Sequence, residues 1–283
     1  MKAIYIIGVG LIGGSLALDI KSVLPDVTIY GIDTNRQNLD EAIQLNVIDK
    51  KAEFVDLSKA DLVIVAIPVD ATVEQLPDIL NLISEDALVV DVGSTKEDIC
   101  LKVQNHHKRR NFLAMHPIAG TEFSGPSAAI HNLFQGKTNI VCEVELTAFK
   151  LQEKALQLFS KLGMRMRYMN PKAHDKHIAY VSHLSHISAF MLGKTVIDKE
   201  KNERDIFDLA GSGFESTVRL AKSSPEMWTP IFKQNKTNVI ETLNEYINNL
   251  KQFKALMEQE DFEGVYKEMQ DTNHIKQILK GIA

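Results

Sequence analysis

Short runs of β-branched and aliphatic residues alternate with amphipathic stretches over roughly the first 170 residues of the chain. The runs cover residues 3–7, 27–32, 62–67, 88–92, 112–115, 139–144 and 166–168. Near-continuous apolar strands separated by helical patterns are typical of a parallel sheet with helices on both faces. We therefore expect an α/β fold in which residues 1–170 form a Rossmann-type, doubly wound parallel sheet.

The pattern changes after Pro171. Over residues 174–197 and 225–257 the apolar residues recur at spacings of three and four, which predicts helices, and no further strand is expected. Because proline restricts the preceding residue to extended geometry, we place a domain boundary between Asn170 and Pro171. Residues 171–283 are thus predicted to form an all-helical C-terminal domain.

A wide apolar stripe follows the predicted helix over residues 225–257. A helix that lies on a small domain needs a narrower stripe, so part of it should bind a second copy of the chain. The sequence therefore predicts a homodimer joined through the helical domain. Alternatively, the stripe packs entirely within the chain, against the helix at 174–197 and a last helix at 262–279. Its members are Val239, Leu243, Tyr246, Leu250, Phe253 and Met257, widened by Ile240 and Ile247.

Composition and charge exclude several classes of partner. The 283 residues carry a net charge of −5, and the basic run from His106 to Arg110 is too short to indicate nucleic-acid binding. No 18 consecutive residues are apolar, and the N-terminus leads directly into a strand, so we expect a cytoplasmic protein without a membrane segment. Cys100 and Cys142 are far apart and predict free thiols in a reducing compartment.

The first predicted strand continues into the sequence GVGLIG, from Gly8 to Gly13, and then into a helical pattern. In this context the glycines allow a tight turn and close approach of a pyrophosphate to the helix N-terminus. Asp33 ends the next strand, where its carboxylate can accept hydrogen bonds from the ribose hydroxyls and would repel a 2′-phosphate. We expect NAD as the cofactor, with Arg36 leaving NADP as the alternative. The predicted cofactor-binding residues are Gly8, Gly10, Leu11, Ile12, Gly13, Asp33, Ala66 and Pro68.

Two further strand ends carry candidate catalytic groups. Ser94 opens a Ser-x-x-Glu pattern with Glu97, so a helix cap accounts for it, alone or together with a ligand contact. His116 ends a strand, is followed by Pro117 and a glycine-containing loop, and has few structural duties there. A histidine in that position is suited to general-base catalysis near neutral pH.

Four histidines at positions 174, 177, 183 and 186 lie in the first predicted helix of the C-terminal part. Apart from Asp175 no further ligand completes a set, so we expect no metal site and interpret His174, His177 and His183 as surface or core residues. Arg219 follows a glycine-bearing turn that leads into a helix. By itself it would be an ordinary solvated arginine.

Taken together, the segments GVGLIGGS, DVGSTK, HPIAGTE, SHLSH and GFESTVRLAKSSPEMW resemble the prephenate/arogenate dehydrogenase family over nearly the whole chain. The resemblance implies NAD-dependent oxidative decarboxylation of prephenate to 4-hydroxyphenylpyruvate in tyrosine biosynthesis. Arogenate dehydrogenase, which produces tyrosine directly, is the alternative. The implied roles are catalytic base for His116, assistance at the same ring hydroxyl for Ser94, lining of the substrate cleft for His186, carboxylate binding for Arg219 and a gating acid for Glu122.

One departure from the family pattern concerns that gate. Relatives can carry an aspartate three residues before the arginine, where this chain has Ser216. Two competing interpretations remain. A 3-hydroxyacid-type dehydrogenase would use a catalytic lysine such as Lys194, but it would leave HPIAGTE and Arg219 unexplained. A non-catalytic NAD-sensing protein would bind the cofactor without turnover, and His116 so placed argues against it.

Overall fold

The computed structural model describes residues 1–201, 203 and 205–280. Its strands are β1 Ala3–Ile7, β2 Thr28–Ile32, β3 Lys50–Lys51, β4 Leu62–Val65, β5 Leu88–Asp91, β6 Phe112–Pro117, β7 Thr138–Cys142 and β8 Arg165–Tyr168. They form one sheet with the order β3-β2-β1-β4-β5-β6-β7-β8. The order reverses between β1 and β4, which is where doubly wound sheets leave a crevice for a ligand.

Both faces of the sheet are covered. Ile4 and Ile6 belong to one buried cluster and Tyr5 and Ile7 to another. Successive side chains of a strand point to opposite faces, so these strands are apolar at every position because neither face meets water. The predicted doubly wound architecture is confirmed. The covering helices are α1 Leu11–Val23, α2 Arg36–Gln44, α3 Val69–Leu82, α4 Glu97–Val103 and α5 Phe149–Lys161.

The prediction of a parallel sheet is wrong for one strand pair. β7 runs antiparallel to β6, whereas the other pairs in the described sheet are parallel. A parallel connection needs a crossover long enough for a helix. Residues 118–137 contain only a short 3₁₀ turn at Pro126–Ala128. The short edge strand β3 was not predicted.

The C-terminal part is helical, as expected, and no strand follows β8 in the described residues. The single helix predicted over residues 225–257 is interrupted at Asn235, and the one predicted over 262–279 is also two helices. The buried side chain of Asn235 donates a hydrogen bond of 2.7 Å to the carbonyl oxygen of Asp175. The helices are α6 Pro171–Ile178, α7 Leu184–Glu200, α8 Ser212–Val218, α9 Pro225–Gln234, α10 Lys236–Glu258, α11 Phe262–Thr272 and α12 Ile275–Lys280, and a π-helical turn at Ala179–His183 joins α6 to α7.

Contacts divide the chain into two compact units, Met1–Lys236 and Thr237–Ala283. The helices α6 to α9 therefore belong to the same unit as the sheet. The domain boundary near Pro171 stays a prediction. Among the described residues, no helix is both long and apolar enough to cross a membrane.

Candidate active site

The glycine turn between β1 and α1 is shaped for a close approach of the backbone. Gly8 has a φ of +91°, and a Cβ there would lie 2.5 Å from the carbonyl oxygen of Ala66. A Cβ on Gly13 would lie 2.0 Å from the carbonyl oxygen of Gly8, so both positions need glycine. A Cβ on Gly10, in contrast, would meet no atom within 4 Å. The space beside Gly10 is open, as a bound pyrophosphate requires.

The N–H groups of Leu11 and Ile12 begin α1 and have no carbonyl partner one turn earlier within that helix. They lie beside this open space and suit the binding of an anion. Asp33 directly follows β2, and its carboxylate accepts a 3.1 Å hydrogen bond from the backbone N–H of Val9. The carboxylate therefore joins the glycine turn to the end of β2. The turn, its open space and this acid fit the adenosine and pyrophosphate parts of NAD. Pro68 is exposed and precedes α3.

The loop after β5 differs from the prediction. α4 begins at Glu97, and no side-chain hydrogen bond from Ser94 caps it. Instead, the carboxylate of Asp175 on α6 accepts hydrogen bonds from the backbone N–H groups of Lys96 and Glu97, at 2.8 and 2.9 Å. The interpretation of Ser94 as the helix cap is wrong, because an acid from another helix satisfies those donors. Ser94 remains partly exposed at the strand end.

A buried ion pair lies next to this loop. The ammonium of Lys96 pairs with the carboxylate of Asp91 at the end of β5, and neither side chain is exposed. Removing one partner would leave a buried charge without compensation, which is strongly destabilising. The pair therefore holds the Lys96 ammonium and the Asp91 carboxylate together next to this loop.

His116, at the end of β6, contacts His174, which the sequence analysis interpreted as a surface or core residue. Its Nδ1 lies 2.8 Å from Nε2 of His174, and Nδ1 of His174 lies 2.7 Å from a carboxylate oxygen of Asp175. In the described part of the chain, Nε2 of His116 makes no hydrogen bond, and the side chain is partly exposed. The geometry thus gives a histidine with one nitrogen held by the protein and the other open.

The surroundings of His116 favour its neutral form. Burial holds the pKa of His116 well below its ordinary value, and electrostatic repulsion from His174 and Lys96 lowers that pKa further. A neutral imidazole at neutral pH can accept a proton. His116 therefore has the protonation state that a general base needs.

The π-helical turn at Ala179–His183 accounts for the way the histidines of α6 and α7 group together. In a regular α-helix, the twelve residues from 174 to 186 correspond to three turns plus about 120°. A π-turn accommodates one extra residue, which removes about 100° and leaves the two positions about 20° apart. His174 and His186 therefore share a helix face that an uninterrupted helix would not give them.

His186 lies against an aromatic cluster from α9. Its ring stacks on Trp228 at 3.5 Å, and its Nδ1 lies 2.9 Å from the carbonyl oxygen of Ser182, to which it donates. The pKa of His186 is lowered, first by burial. His183 packs edge-on against Trp228, and burial lowers its pKa to about 4. The buried Nε1 of Trp228 and Nε2 of His183 have no hydrogen-bond partner in the described residues.

Arg219 directly follows α8 and forms an ion pair with Glu122, from the loop between β6 and β7, at 2.9 Å. Arg219 is half exposed, so this contact is screened by water and is weak enough to exchange for a ligand carboxylate. Arg219 is also close enough to His186 to lower its pKa. Ser216 donates a hydrogen bond to the carbonyl oxygen of Gly213, and the contact between Glu122 and Arg219 forms without it.

The structure places Arg219 in contact with Glu122 and Asp33 in contact with the glycine turn, and it adds three residues that were missed. His174 contacts His116, Asp175 contacts His174, and Trp228 contacts His186. In the sequence, His174 could be noticed only as one of four closely spaced histidines. These were considered as metal ligands, and a hydrogen bond from His174 to His116 was not predicted. No group of three or more His, Cys, Asp or Glu side chains suited to a metal ion occurs in the described residues.

Comparison with known proteins gives consistent matches over both halves of the chain. Residues 16–168 match the family model "Prephenate dehydrogenase, nucleotide-binding domain", and residues 170–271 match "Prephenate dehydrogenase, dimerization domain". Prephenate dehydrogenase of Bacillus subtilis is 33% identical over 93% of this chain and 72% of its own length. Cyclohexadienyl dehydrogenase of Zymomonas mobilis is 29% identical over 99% of this chain and 96% of its own length.

A solved structure is also similar over nearly the full length. Prephenate dehydrogenase from Aquifex aeolicus, in complex with hydroxyphenyl propionate and NAD+, superposes with a TM-score of 0.87 and 32% identity over 98% of both chains. On the fold, the site and these matches, the chain belongs to the prephenate dehydrogenase family.

Proposed function

We propose that the chain catalyses the NAD-dependent oxidative decarboxylation of prephenate to 4-hydroxyphenylpyruvate, with His116 as the general base. The observation that carries this proposal is the position of His116 at the carboxyl end of β6, with Nδ1 held by His174 and Nε2 without a hydrogen bond in the described residues. Strands β1, β4, β5 and β6 are parallel to one another. Their carboxyl ends, including the end of β6 that carries His116, therefore lie at the same edge of the sheet as the glycine turn.

The proposed reaction oxidises C4 of the substrate ring and releases the ring carboxylate as carbon dioxide. Bound NAD would supply the oxidised nicotinamide that takes the hydride from C4 of the ring. The hydroxyl proton moves to Nε2 of His116, and C4 becomes a carbonyl carbon. The bond between C1 and the ring carboxylate then breaks, carbon dioxide leaves, and the electron pair moves through the ring to the oxygen. That oxygen takes the proton back from His116 as the ring becomes aromatic.

The remaining residues bind and orient the substrate. Arg219 pairs with a substrate carboxylate, which takes the place of the Glu122 carboxylate in the ion pair between the two residues. In this arrangement Glu122 acts as a gate over the arginine. His186 and Ser94 line the cleft, and Ser94 donates to or accepts from the same ring hydroxyl that His116 deprotonates.

Arogenate is the second candidate substrate, because it differs from prephenate only by an amino group in place of the side-chain keto group. The relatives include enzymes named for either substrate, among them an arogenate dehydrogenase from Synechocystis at 25% identity with a TM-score of 0.76. Steady-state rates with both substrates and both cofactors decide between the candidates. Prephenate with NAD should be the fastest combination, and a rate with arogenate that exceeds it would reverse the assignment.

The cofactor preference rests on Asp33. Replacing Asp33 with Ser should narrow the preference for NAD over NADP, because the carboxylate no longer repels the 2′-phosphate. Comparing kcat/KM for the two cofactors in both proteins measures this, with Asp26→Ser, a substitution outside the glycine turn, as the matched loss of one charge. Faster turnover of the native enzyme with NADP would show that Arg36 dominates.

We also propose that the protein is a cytoplasmic homodimer joined through its helical part. The match of residues 170–271 to a dimerization domain supports the dimer. Within the second compact unit, Ile247, Leu250, Phe253 and Met257 on α10 are each at least a third exposed in the single chain. An apolar surface of this kind indicates a partner.

A further inference from the structure

A continuous hydrogen-bonded chain connects α4, α6 and β6 beneath the proposed base. Asp175 and His174 are 4% and 2% exposed, so this chain lies almost entirely out of water. Its links are the two backbone N–H groups on Asp175, the contact of Asp175 with Nδ1 of His174, and the contact of Nε2 of His174 with Nδ1 of His116.

The order of donors and acceptors along these hydrogen bonds follows from the end at α4, where the donors are backbone N–H groups. The backbone N–H groups of Lys96 and Glu97 can only donate, so the oxygens of Asp175 accept. Nδ1 of His174 then carries the hydrogen that it donates to Asp175. In neutral His174 this makes Nε2 an acceptor. The hydrogen between the two rings consequently belongs to Nδ1 of His116, and the lone pair of His116 is on Nε2.

We propose that His174 and Asp175 are positioning residues that set the tautomer of His116 and thereby present the lone pair of Nε2 to the substrate hydroxyl. The inference rests on the proposed function, in which His116 is the base. It assigns a role to two residues that touch neither substrate nor cofactor in that function. Serine proteases show the size of such an effect, since loss of the orienting aspartate there leaves the geometry intact but gives the wrong tautomer and a kcat lower by about 10⁴.

The charges around the two rings support this role. Lys96 and His183 also face the cluster, and Asp91 is held in its ion pair with Lys96. Asp175 is therefore the acid that contacts the histidine pair directly. When His116 takes up the substrate proton, the imidazolium donates from Nδ1 to His174, and the Asp175 carboxylate stabilises the added charge through the His174 ring.

The first test is spectroscopic and uses the full-length wild-type enzyme with ¹⁵N-labelled histidine. Long-range ¹H–¹⁵N correlation distinguishes the two neutral tautomers, and the signal of His116 is identified by its loss in His116→Asn. We expect the Nδ1–H form in the wild type. In His174→Phe the acceptor is gone, and the signal should shift toward the Nε2–H form that a free side chain favours. An Nε2–H form in the wild type would overturn the proposal.

The second test separates positioning from packing. His174→Phe fills the space without an acceptor, whereas the amide oxygen of His174→Gln can still accept from Nδ1 of His116. We expect kcat to fall by about 10²–10⁴ in the Phe variant and to recover to within about tenfold of the wild type in the Gln variant, with the KM for the substrate nearly unchanged in both. His177→Phe, on the exposed side of α6, is the matched control and should keep kcat.

Each other outcome is decisive. Equal decreases in kcat in the His174→Phe and His174→Gln variants, or an unchanged kcat in the His174→Phe variant, would contradict the proposal. If neither variant folds, the wild-type spectrum alone decides. Failure of the proposed function is a separate result, because near-normal turnover by His116→Asn would remove the base while leaving the tautomer measurement valid.

Discussion

At the scale of single residues, the reaction depends on whether His116 is unprotonated when substrate binds. Replacing it with Asn should preserve NAD binding but lower kcat by at least about 10², the lower end for loss of a general base. Stopped-flow or steady-state turnover and cofactor titration of the same preparation measure both quantities. Full turnover in a folded variant would exclude His116 from the mechanism.

The same residue determines the expected pH dependence. Burial lowers the pKa of His116, so its neutral form persists to a lower pH than an exposed histidine would allow. Activity requires the neutral form and is lost as the pH falls through the lowered pKa. In the wild type, the acid limb of the kcat/KM profile should therefore lie below pH 6.5. An acid limb above that value would show that another group limits the reaction.

Arg219 provides the second prediction at this scale. Arg219→Ala should raise the KM for the substrate and cost about 2–4 kcal/mol in kcat/KM, and Arg219→Lys should restore little, because lysine lacks the two-pronged donor geometry. Lys222→Ala is a matched control: it removes a positive charge from the same segment, where Lys222 lies 3.7 Å from Glu215. An unchanged KM in both Arg219 variants would place the carboxylate contact elsewhere.

Single residues also show what the sequence could and could not predict. Asp33 and His116 were found because each ends a strand, and a strand end is visible in the local pattern. The contact of Asp175 with the N-terminus of α4 was not predicted. Asp175 is separated from Lys96 by 79 positions and from Glu97 by 78, and no local sequence pattern encodes a contact over that distance. Ser94 was misread for the same reason, since its local Ser-x-x-Glu pattern gave no hint of the distant acid.

At the scale of elements, most strands followed from apolar runs, whereas β3 consists of two exposed lysines and gives no such signal. The antiparallel direction of β7 could have been predicted, because residues 118–137, which connect β6 to β7, lack the helical periodicity of a parallel crossover. The break at Asn235 depends on buried partners from α6 and could not be read from the spacing of apolar residues, which continues through it.

The π-turn between α6 and α7 yields a prediction about helix phase. Deleting Val181, which is exposed within the turn, should convert it to regular α-helix and keep the face shared by His174 and His186. Deleting Ser185 from α7 instead rotates His186 by about 100° relative to His183. We expect kcat/KM to stay within about tenfold in the first variant and to fall by at least about 10² in the second, since small misplacements have costs of that size.

The two deletions are matched in length, and both remove a residue that is exposed. Circular dichroism and thermal unfolding of each variant establish whether the fold is retained. If the Val181 deletion folds and loses as much activity as the Ser185 deletion, helix phase is not the reason for the π-turn.

At the scale of the whole molecule, the second compact unit presents more apolar surface than a monomer requires. Leu250 and Phe253 on α10 are 52% and 40% exposed, and with Tyr266 and Met269 on α11 they line a groove of about 840 Å³. Packing within this unit, against α11 and α12, leaves these side chains exposed. Symmetric pairing through one shared surface is the commonest way to cover such a face.

Replacing both Leu250 and Phe253 with Asp should therefore give monomers or insoluble protein, because each charge would be buried without a partner at the contact. Light scattering at micromolar concentration measures the mass, and the native enzyme should give about twice the 31.7 kDa of one chain. Asn248→Asp with Lys251→Asp alters the charge of the same helix segment at exposed positions outside the stripe and the groove, and it should leave the dimer intact. A native mass near that of a single chain would refute the dimer and require another explanation for the exposed stripe.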